Sequence, residues 1–201
     1  MTAASPAPKD DTPVVLFHGD EEYERSRAVA AHVESLCPPE DQAFGLETID
    51  GAVETVDAAL EALRQTLQAL QTVSLFGGSK TVWLRNASLL TDKTLSKNEQ
   101  VKSLVGTLTD WIKSAQDGGS VLVVSAPKLN RSTAFYKACK SRGDVREFMG
   151  PEKAYKAPDA ARETLMRMAA ERGLRIAGPT AAAFVDRCGT DSRQIDSELA
   201  K

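Results

Sequence analysis

The sequence has few of the residues and segments that mark membrane, metal-binding or secreted proteins. None of its apolar runs approaches the roughly 20 residues of a membrane-spanning helix. Residues 1–11 contain no apolar segment of the kind that a secretory signal needs. The two histidines and the three widely spaced cysteines, Cys37, Cys139 and Cys188, give neither a His-rich metal centre nor a CxxC pattern. We therefore expect a cytoplasmic protein that binds no metal and no cofactor.

The composition is that of an ordinary globular protein, but the charge is unevenly distributed. The 201 residues are 42% hydrophobic and 26% charged, which is enough for one domain and a smaller second one. The net charge of −3 hides four Lys/Arg against fourteen Asp/Glu in residues 1–70, and twelve against six in residues 71–150. Such segregation indicates surfaces with different partners.

Short apolar runs alternate with amphipathic helical patterns through most of the chain. The runs are continuous rather than alternating, which is typical of strands buried on both faces of a parallel sheet. We expect strands near residues 14–17, 44–49, 80–84, 121–124 and 145–148, each separated from the next by a helix. This order predicts an α/β fold, a three-layer sandwich around a mainly parallel five-stranded sheet.

The chain divides into three parts on this interpretation. Residues 1–12 are small, polar and rich in proline, and are expected to form a disordered tail. Residues 13–149 hold the α/β domain. Residues 150–201 show helical patterns only, with helix ends expected at Gly173 and Gly189 and a helix cap at Asp191. This small helical domain is expected to be truncated, because the sequence stops inside its last helix.

The first strand is followed by a segment that lacks the residues of a phosphate-binding loop. Such a loop has the pattern G-x-x-x-x-G-K-[ST], in which backbone N–H groups and a lysine hold phosphate. Residues 18–25 read HGDEEYER, with one glycine, no lysine and several carboxylates that would repel a triphosphate. The strands near residues 82–84 and 121–124 also end without a carboxylate for magnesium. The pattern indicates the architecture of a nucleotide hydrolase without the residues that bind and hydrolyse the nucleotide.

No other catalytic pattern is present. Ser125 lacks the glycines of a nucleophile elbow, and no histidine lies near it in the sequence. Glu21 and Glu22 are adjacent and point in different directions on a helix, so a solvated helix start is the favoured interpretation. His18, at a strand end, is interpreted as a packed or hydrogen-bonding residue. No catalytic residue is expected.

One apolar pair stands in a connection between a helix and a strand. Leu75 and Phe76 follow Ser74 and precede Gly77 and Gly78. Adjacent residues of a regular element cannot both face one core, and exposed apolar pairs act as anchors in protein contacts. The alternative, favoured by the residues alone, is that the pair plugs one end of the sheet.

Four motifs of the sequence resemble the delta subunit of the bacterial DNA polymerase III clamp loader. They are residues 19–23 after an apolar strand, residues 72–78 leading to 81–84, residues 122–129 followed by Arg131, and residues 189–191 followed by Ile195, Glu198, Leu199 and Lys201. Together they extend over almost all of residues 13–201. The resemblance implies a RecA-like, AAA+-type domain with a degenerate phosphate loop, in agreement with the interpretation of residues 18–25.

The resemblance also implies a function. Delta subunits bind the ring-shaped sliding clamp and hold one of its interfaces open for loading onto primed DNA during replication, without hydrolysing ATP. The hydrophobic pair that enters the clamp corresponds here to Leu75 and Phe76, with Ser74 and Gly77 shaping its presentation. The implied partners are the clamp (beta subunit), the gamma/tau and delta prime subunits, and primer–template DNA. The chain would thus be a non-catalytic subunit of a DNA-directed DNA polymerase (nucleotidyltransferase) holoenzyme, lacking the family's collar domain.

Two alternatives remain open. The first is an active nucleotide-binding enzyme with an unusual phosphate site. Residues 18–25 argue against this alternative. The second is a nucleic-acid-binding module that uses a basic run, for which a solvated helix face is the simpler interpretation. Within an assembled loader, these basic residues could contact DNA or a neighbouring subunit. They are Lys128, Arg131, Lys137, Lys140 and Arg142, with Arg146 nearby.

Overall fold

A computed structural model describes residues 12–72, 80–116, 119–151 and 153–201 of the chain. The chain forms two compact units, which meet in sequence between Phe148 and Met149. Of the expected tail, residues 1–11 lie outside the described residues.

The first unit is built on a five-stranded sheet in which every pair of neighbouring strands is parallel. The order is β2-β3-β4-β1-β5, so β1 and β4 are central and β2 and β5 form the edges. Their bounds are β1 Val14–Gly19, β2 Leu46–Asp50, β3 Thr81–Arg85, β4 Val121–Ala126 and β5 Asp144–Phe148. The expected α/β fold with a parallel five-stranded sheet is confirmed.

Helices cover both faces of this sheet. They are α1 Glu22–Leu36, α2 Gln42–Gly45, α3 Val56–Gln71, α4 Glu99–Ser114 and α5 Ala134–Arg142, with 3-10 turns at Ser88–Leu90 and Leu95–Lys97. Apolar residues of α3, α4 and α5 pack with Leu16, Leu84 and Val124 on one face. On the other face, Val29 and Val33 of α1 pack with Phe17 and Val123. The unit is therefore a three-layer sandwich, because successive side chains of each strand point to opposite faces.

The helix starts follow from capping side chains in three of the long helices. Thr55 accepts a hydrogen bond from the backbone N–H of Ala58, Asn98 from Gln100 and Val101, and Thr133 from Tyr136. Each cap satisfies backbone donors that the first turn of a helix leaves without partners. These caps fix where α3, α4 and α5 begin above the sheet.

One local expectation, the start of the strand near residue 44, is corrected. Phe44 lies in the short helix α2 and its side chain is 69% exposed, whereas the sequence predicts it as part of a strand. Its apolar side chain is the reason for that error, since an apolar residue next to a strand does not itself mark the strand's start.

The described residues of the second unit form helices and no strand. The helices are α6 Ala157–Glu171, α7 Gly178–Cys188 and α8 Ser192–Leu199, after a 3-10 turn at Ala154–Lys156. Leu165, Met168, Val185 and Ile195 are buried between them. Asp191 caps α8 through the N–H of Gln194, as the sequence predicts. Among the described residues of both units, no helix is long and apolar enough to cross a membrane.

Candidate functional site

The apolar pair predicted as an anchor falls in a part of the chain that the structure does not describe. Ser74, Leu75, Phe76 and Gly77 belong to residues 73–79, outside the described residues. The segment connects α3 to β3, so its chain neighbours are at the amino end of a strand. Phosphate loops of α/β folds lie at the opposite, carboxyl end. A protein that contacts this segment would therefore bind near the amino ends of the strands, whereas a nucleotide would bind at their carboxyl ends.

The two flanks of this segment are joined by side chains. The Lys80 ammonium donates a hydrogen bond of 2.8 Å to the Thr72 hydroxyl and forms an ion pair of 2.7 Å with Glu47. The Thr72 hydroxyl also bonds the carbonyl oxygens of Gln68 and Ala69 in the last turn of α3. The ends of the segment are thus held together by contacts among α3, β2 and β3.

Strand pairing explains why Lys80 reaches Glu47. Leu46 of β2 is paired with Thr81 of β3, so Glu47 and Lys80 are diagonal neighbours on one face of the sheet. The Lys80 side chain is only 12% exposed and Glu47 is 46% exposed. On the backbone, the Lys80 carbonyl accepts a hydrogen bond from the N–H of Val121 in β4. Lys80 is therefore fixed from three sides.

The loop at the carboxyl end of β1 is closed upon itself. Only Asp20 and Glu21 separate β1 from α1. The Glu21 N–H donates to the Phe148 carbonyl, 3.1 Å away, so it is not free for a ligand. A Cβ added at Gly19 would lie 1.8 Å from the same carbonyl oxygen, and Gly19 has a φ of +144°. The loop is shorter and tighter than one that wraps phosphate.

A buried arginine of α1 forms a hydrogen bond with the backbone of this loop. The Arg25 side chain, on α1, is buried, and its guanidinium donates to the Gly19 carbonyl. Burial lowers the pKa of the Arg25 guanidinium, and the carboxylates of Glu22 and Asp20 raise it in part. The Arg25 guanidinium is therefore bonded to the backbone of the loop itself. The sequence shows only an arginine one turn into the helix, which does not predict this bond.

Polar side chains from β1, α5 and β5 meet near the carboxyl ends of the strands. The buried His18 ring accepts a hydrogen bond at Nδ1 from the Leu129 N–H, and its Nε2 lies 3.5 Å from a Glu147 carboxylate oxygen. Glu147 also accepts hydrogen bonds from the hydroxyl of Tyr136 and from Arg131. The prediction of a packed or hydrogen-bonding His18 agrees with this geometry.

The charges in this cluster are set by burial and by the neighbouring groups. Burial lowers the pKa of His18, although Glu147 raises it in part, so the ring is neutral near pH 7. Burial alone would raise the pKa of Glu147, but Tyr136, Arg131 and His18 together lower it. A neutral histidine beside an ionised, fully bonded carboxylate offers no activated nucleophile nearby. The cluster holds β1, α5 and β5 together.

The described residues offer no other reactive centre. Burial raises the pKa of the Cys139 thiol to about 12, and burial also raises the pKa of Cys37. A thiol with a raised pKa is protonated at neutral pH and does not act as a nucleophile. No group of three or more His, Cys, Asp or Glu side chains in the described ranges could hold a metal ion.

The five basic residues that are candidates for contact with DNA or another subunit fall into two groups in the structure. Arg131 is paired with Glu147, and Arg142 donates to the Ala115 carbonyl at the end of α4. Lys128, Lys137 and Lys140 are exposed and have no ion-pair partner in the described part of the chain. Residues 126–143 contain no Asp or Glu. The two arginines therefore stabilise the domain, and the three lysines remain the candidates for an external anion.

Comparison with known proteins agrees with the geometry. The family model for the DNA polymerase III delta subunit matches residues 40–148, more than half of the chain. No curated protein is significantly similar in sequence. Because the matched range extends from the loop before α2 to the end of β5, it includes the connection between α3 and β3.

Many solved structures match the chain, among them those of two DNA polymerase III proteins. The Bacillus subtilis DNA clamp loader delta protein shares 19% identity and a TM-score of 0.68, over 94% of this chain and 52% of that one. A gamma-subunit-related protein of DNA polymerase III from Thermotoga maritima shares 16% identity with a TM-score of 0.44, over 81% and 49%. The first similarity shows a common fold, and the chain spans about half the length of that protein. By its family match, the chain is a member of the DNA polymerase III delta subunit family.

Proposed function

We propose that the chain is the part of a clamp-loader delta subunit that binds the sliding clamp and opens it for loading onto primed DNA. The observation that carries this proposal is the family match, because its range includes Leu75 and Phe76. We infer from the family resemblance that these two residues enter a pocket of the clamp.

The clamp would be opened without hydrolysis of ATP by this chain. Three features support this part of the proposal. The β1–α1 loop has no room for a phosphate cradle, its Glu21 N–H and Gly19 carbonyl are already bonded, and β3 and β4 end in Arg85-Asn86 and Ser125-Ala126. The β1–α1 loop has no lysine for phosphate, and neither β3 nor β4 ends in a carboxylate for magnesium, so the groups that phosphoryl transfer needs are missing at these positions.

Other loader subunits and DNA are further proposed partners. In the assembled loader, the gamma/tau and delta prime subunits would be neighbours, and ATPase subunits among the neighbours would control access to the clamp. We infer that Lys128, Lys137 and Lys140 face DNA or one of these subunits. Exposed lysines in a stretch of sequence without Asp or Glu are groups that gain from contact with a phosphate backbone or an acidic protein surface.

Replacing both anchor residues tests the proposal. Burying Leu75 and Phe76 in a pocket contributes about 1.5–3 kcal/mol each, so L75A/F76A should bind the sliding clamp at least about 100-fold more weakly. Titration of the organism's own clamp by calorimetry measures this.

A matched control separates the anchor from apolar surface in general. Phe44 and Leu174 are also exposed, by 69% and 49%, and lie elsewhere in the two units. The variant F44A/L174A should bind the clamp like the wild type. Wild-type affinity in L75A/F76A, with an unchanged circular dichroism spectrum, would show that the anchor is wrongly assigned.

A further inference from the structure

The edge strand β2 directs part of its backbone away from the sheet. The Gly51 N–H donates to the Arg85 carbonyl, 2.7 Å away, and this bond continues the register of β2 and β3. Successive residues of a parallel strand direct their backbone groups alternately to its two sides. Gly51 and the residues two and four positions before it therefore face β3. The backbone groups of Leu46, Thr48 and Asp50 face outward.

Most of these outward groups are not used by the rest of the domain. The Leu46 N–H donates to the Gln42 carbonyl at the end of α2. Within the described part of the chain, the Leu46 carbonyl, both backbone groups of Thr48 and the Asp50 N–H have no hydrogen-bond partner. The Thr48 side chain is exposed, although it lies on the sheet face where Leu46 packs towards α1. An edge of this kind can accept a further strand.

The chain around this edge is acidic. Residues 40–57 contain no Lys or Arg, and their Asp and Glu residues are Glu40, Asp41, Glu47, Asp50, Glu54 and Asp57. Lys80 pairs with Glu47 and Arg85 with Asp50, and the other four carboxylates have no ion-pair partner in the described ranges. Two copies of β2 side by side would bring like charges together, which destabilises strand pairing. The charge of this edge therefore suits a basic partner rather than a second copy of the chain.

We propose that β2 is a docking edge for an extended segment of another protein that is rich in lysine or arginine. The segment pairs with β2 as an additional strand, through hydrogen bonds to the outward backbone groups of Thr48 and its neighbours. The acidic side chains select basic residues in that segment. Leu46 and Trp83, both partly buried, provide apolar surface for its alternate side chains. The inference goes beyond the clamp contact and does not depend on the apolar pair proposed as its anchor.

A short peptide in which lysine and valine alternate tests this docking edge. Titrated into the full chain and followed by fluorescence anisotropy, it should bind at least about tenfold more tightly than a peptide with glutamate in place of lysine. T48P removes an outward donor and no bond between β2 and β3, since proline is tolerated where an edge strand faces solvent. T48P should weaken binding at least about tenfold. The control T48A keeps the N–H and should bind like the wild type.

A modified peptide tests strand pairing without any change to the protein. When all its backbone nitrogens are methylated, the lysine–valine peptide keeps its charge but cannot donate to the edge, so it should not bind the wild type. This measurement decides the question even if T48P lowers the thermal midpoint of the protein.

Four results would overturn the inference. They are no binding of the lysine–valine peptide, equal binding of its methylated form, equal binding of the glutamate peptide, and wild-type affinity in a folded T48P. Self-association in sedimentation that T48P abolishes would identify a second copy as the occupant and would also contradict the basic partner. L75A/F76A should bind the peptide like the wild type, so failure of the docking edge can be told from failure of the proposed clamp contact.

Discussion

His32 shows how a single buried side chain sets the response of the protein to pH. It lies on α1, 6% exposed, with its ring 5.4 Å from that of Phe17. Burial, together with the nearby Arg146, lowers the pKa of His32 from 6.5 to about 4, although Asp144 raises it in part. The folded protein therefore holds His32 in its neutral form across a range in which the unfolded chain takes up a proton.

The sign of the resulting pH dependence is fixed. Below pH 6.5 the unfolded state binds the proton first, so stability falls as the pH is lowered towards 4. H32L should remove up to about 1.4 kcal/mol per pH unit from this slope. Urea denaturation between about pH 5 and 6.5 measures it, because most carboxylates are still ionised there. A residual slope from His18, whose pKa is also lowered, is expected. An unchanged slope in H32L would contradict the assignment.

At this scale the sequence predicts some contacts and not others. The Asp191 cap follows from residue type and position, and the structure has it. The bond from Arg25 to the Gly19 carbonyl depends on how α1 leaves the sheet, and the bridge from Lys80 to Thr72 and Glu47 depends on strand register. Neither packing nor register can be derived from residue spacing alone.

The elements of the fold are predicted more completely than the contacts of single residues. The apolar stripe of α3 repeats at steps of three and four, and the helix is present at Val56–Gln71. The predictions are less accurate at element ends, as with Phe44. A one-turn helix such as α2 has too few residues to show a period.

The turn from α5 into β5 depends on close approach of two backbones. A Cβ added at Gly143 would lie 1.9 Å from the carbonyl oxygen of Val14, in the neighbouring strand β1. G143A should therefore lower the free energy of unfolding by several kcal/mol, because a strand must move.

A second glycine of the same unit is the matched comparison. Gly106 lies inside α4, and nothing is within 4 Å of an added Cβ. G106A should raise the free energy of unfolding by about 1 kcal/mol, since alanine favours a helix. Urea denaturation of both variants tests the pair. Equal effects of the same sign would contradict the packing described for Gly143.

At the scale of the whole molecule, the chain has a parallel sheet of the kind that binds nucleotides in related architectures, but the loop after β1 is closed by its own hydrogen bonds. The carboxyl end of β1, where related architectures hold phosphate, is occupied by bonds among Gly19, Glu21, Arg25 and Phe148. The amino end of β3 carries the connection with the proposed anchor. The closed loop and the proposed anchor therefore belong to opposite ends of the parallel strands.

The architecture was predictable from the sequence because it depends on repeated patterns. Five apolar runs and the helices between them define the sandwich, and the loss of the phosphate loop is visible in residues 18–25. The role of Leu75 and Phe76 is not, because the residues alone favour a core plug over an anchor. The proposal of an anchor rests on resemblance to a family rather than on a physical pattern.

Release of a closed ring from circular DNA tests the central claim most directly. A labelled sliding clamp is first loaded onto nicked circular DNA, from which it can escape only if one of its interfaces opens. Addition of this chain without any nucleotide should release the clamp, and L75A/F76A should not. Failure of the wild type to release it, or release that occurs only with ATP and magnesium, would contradict the account.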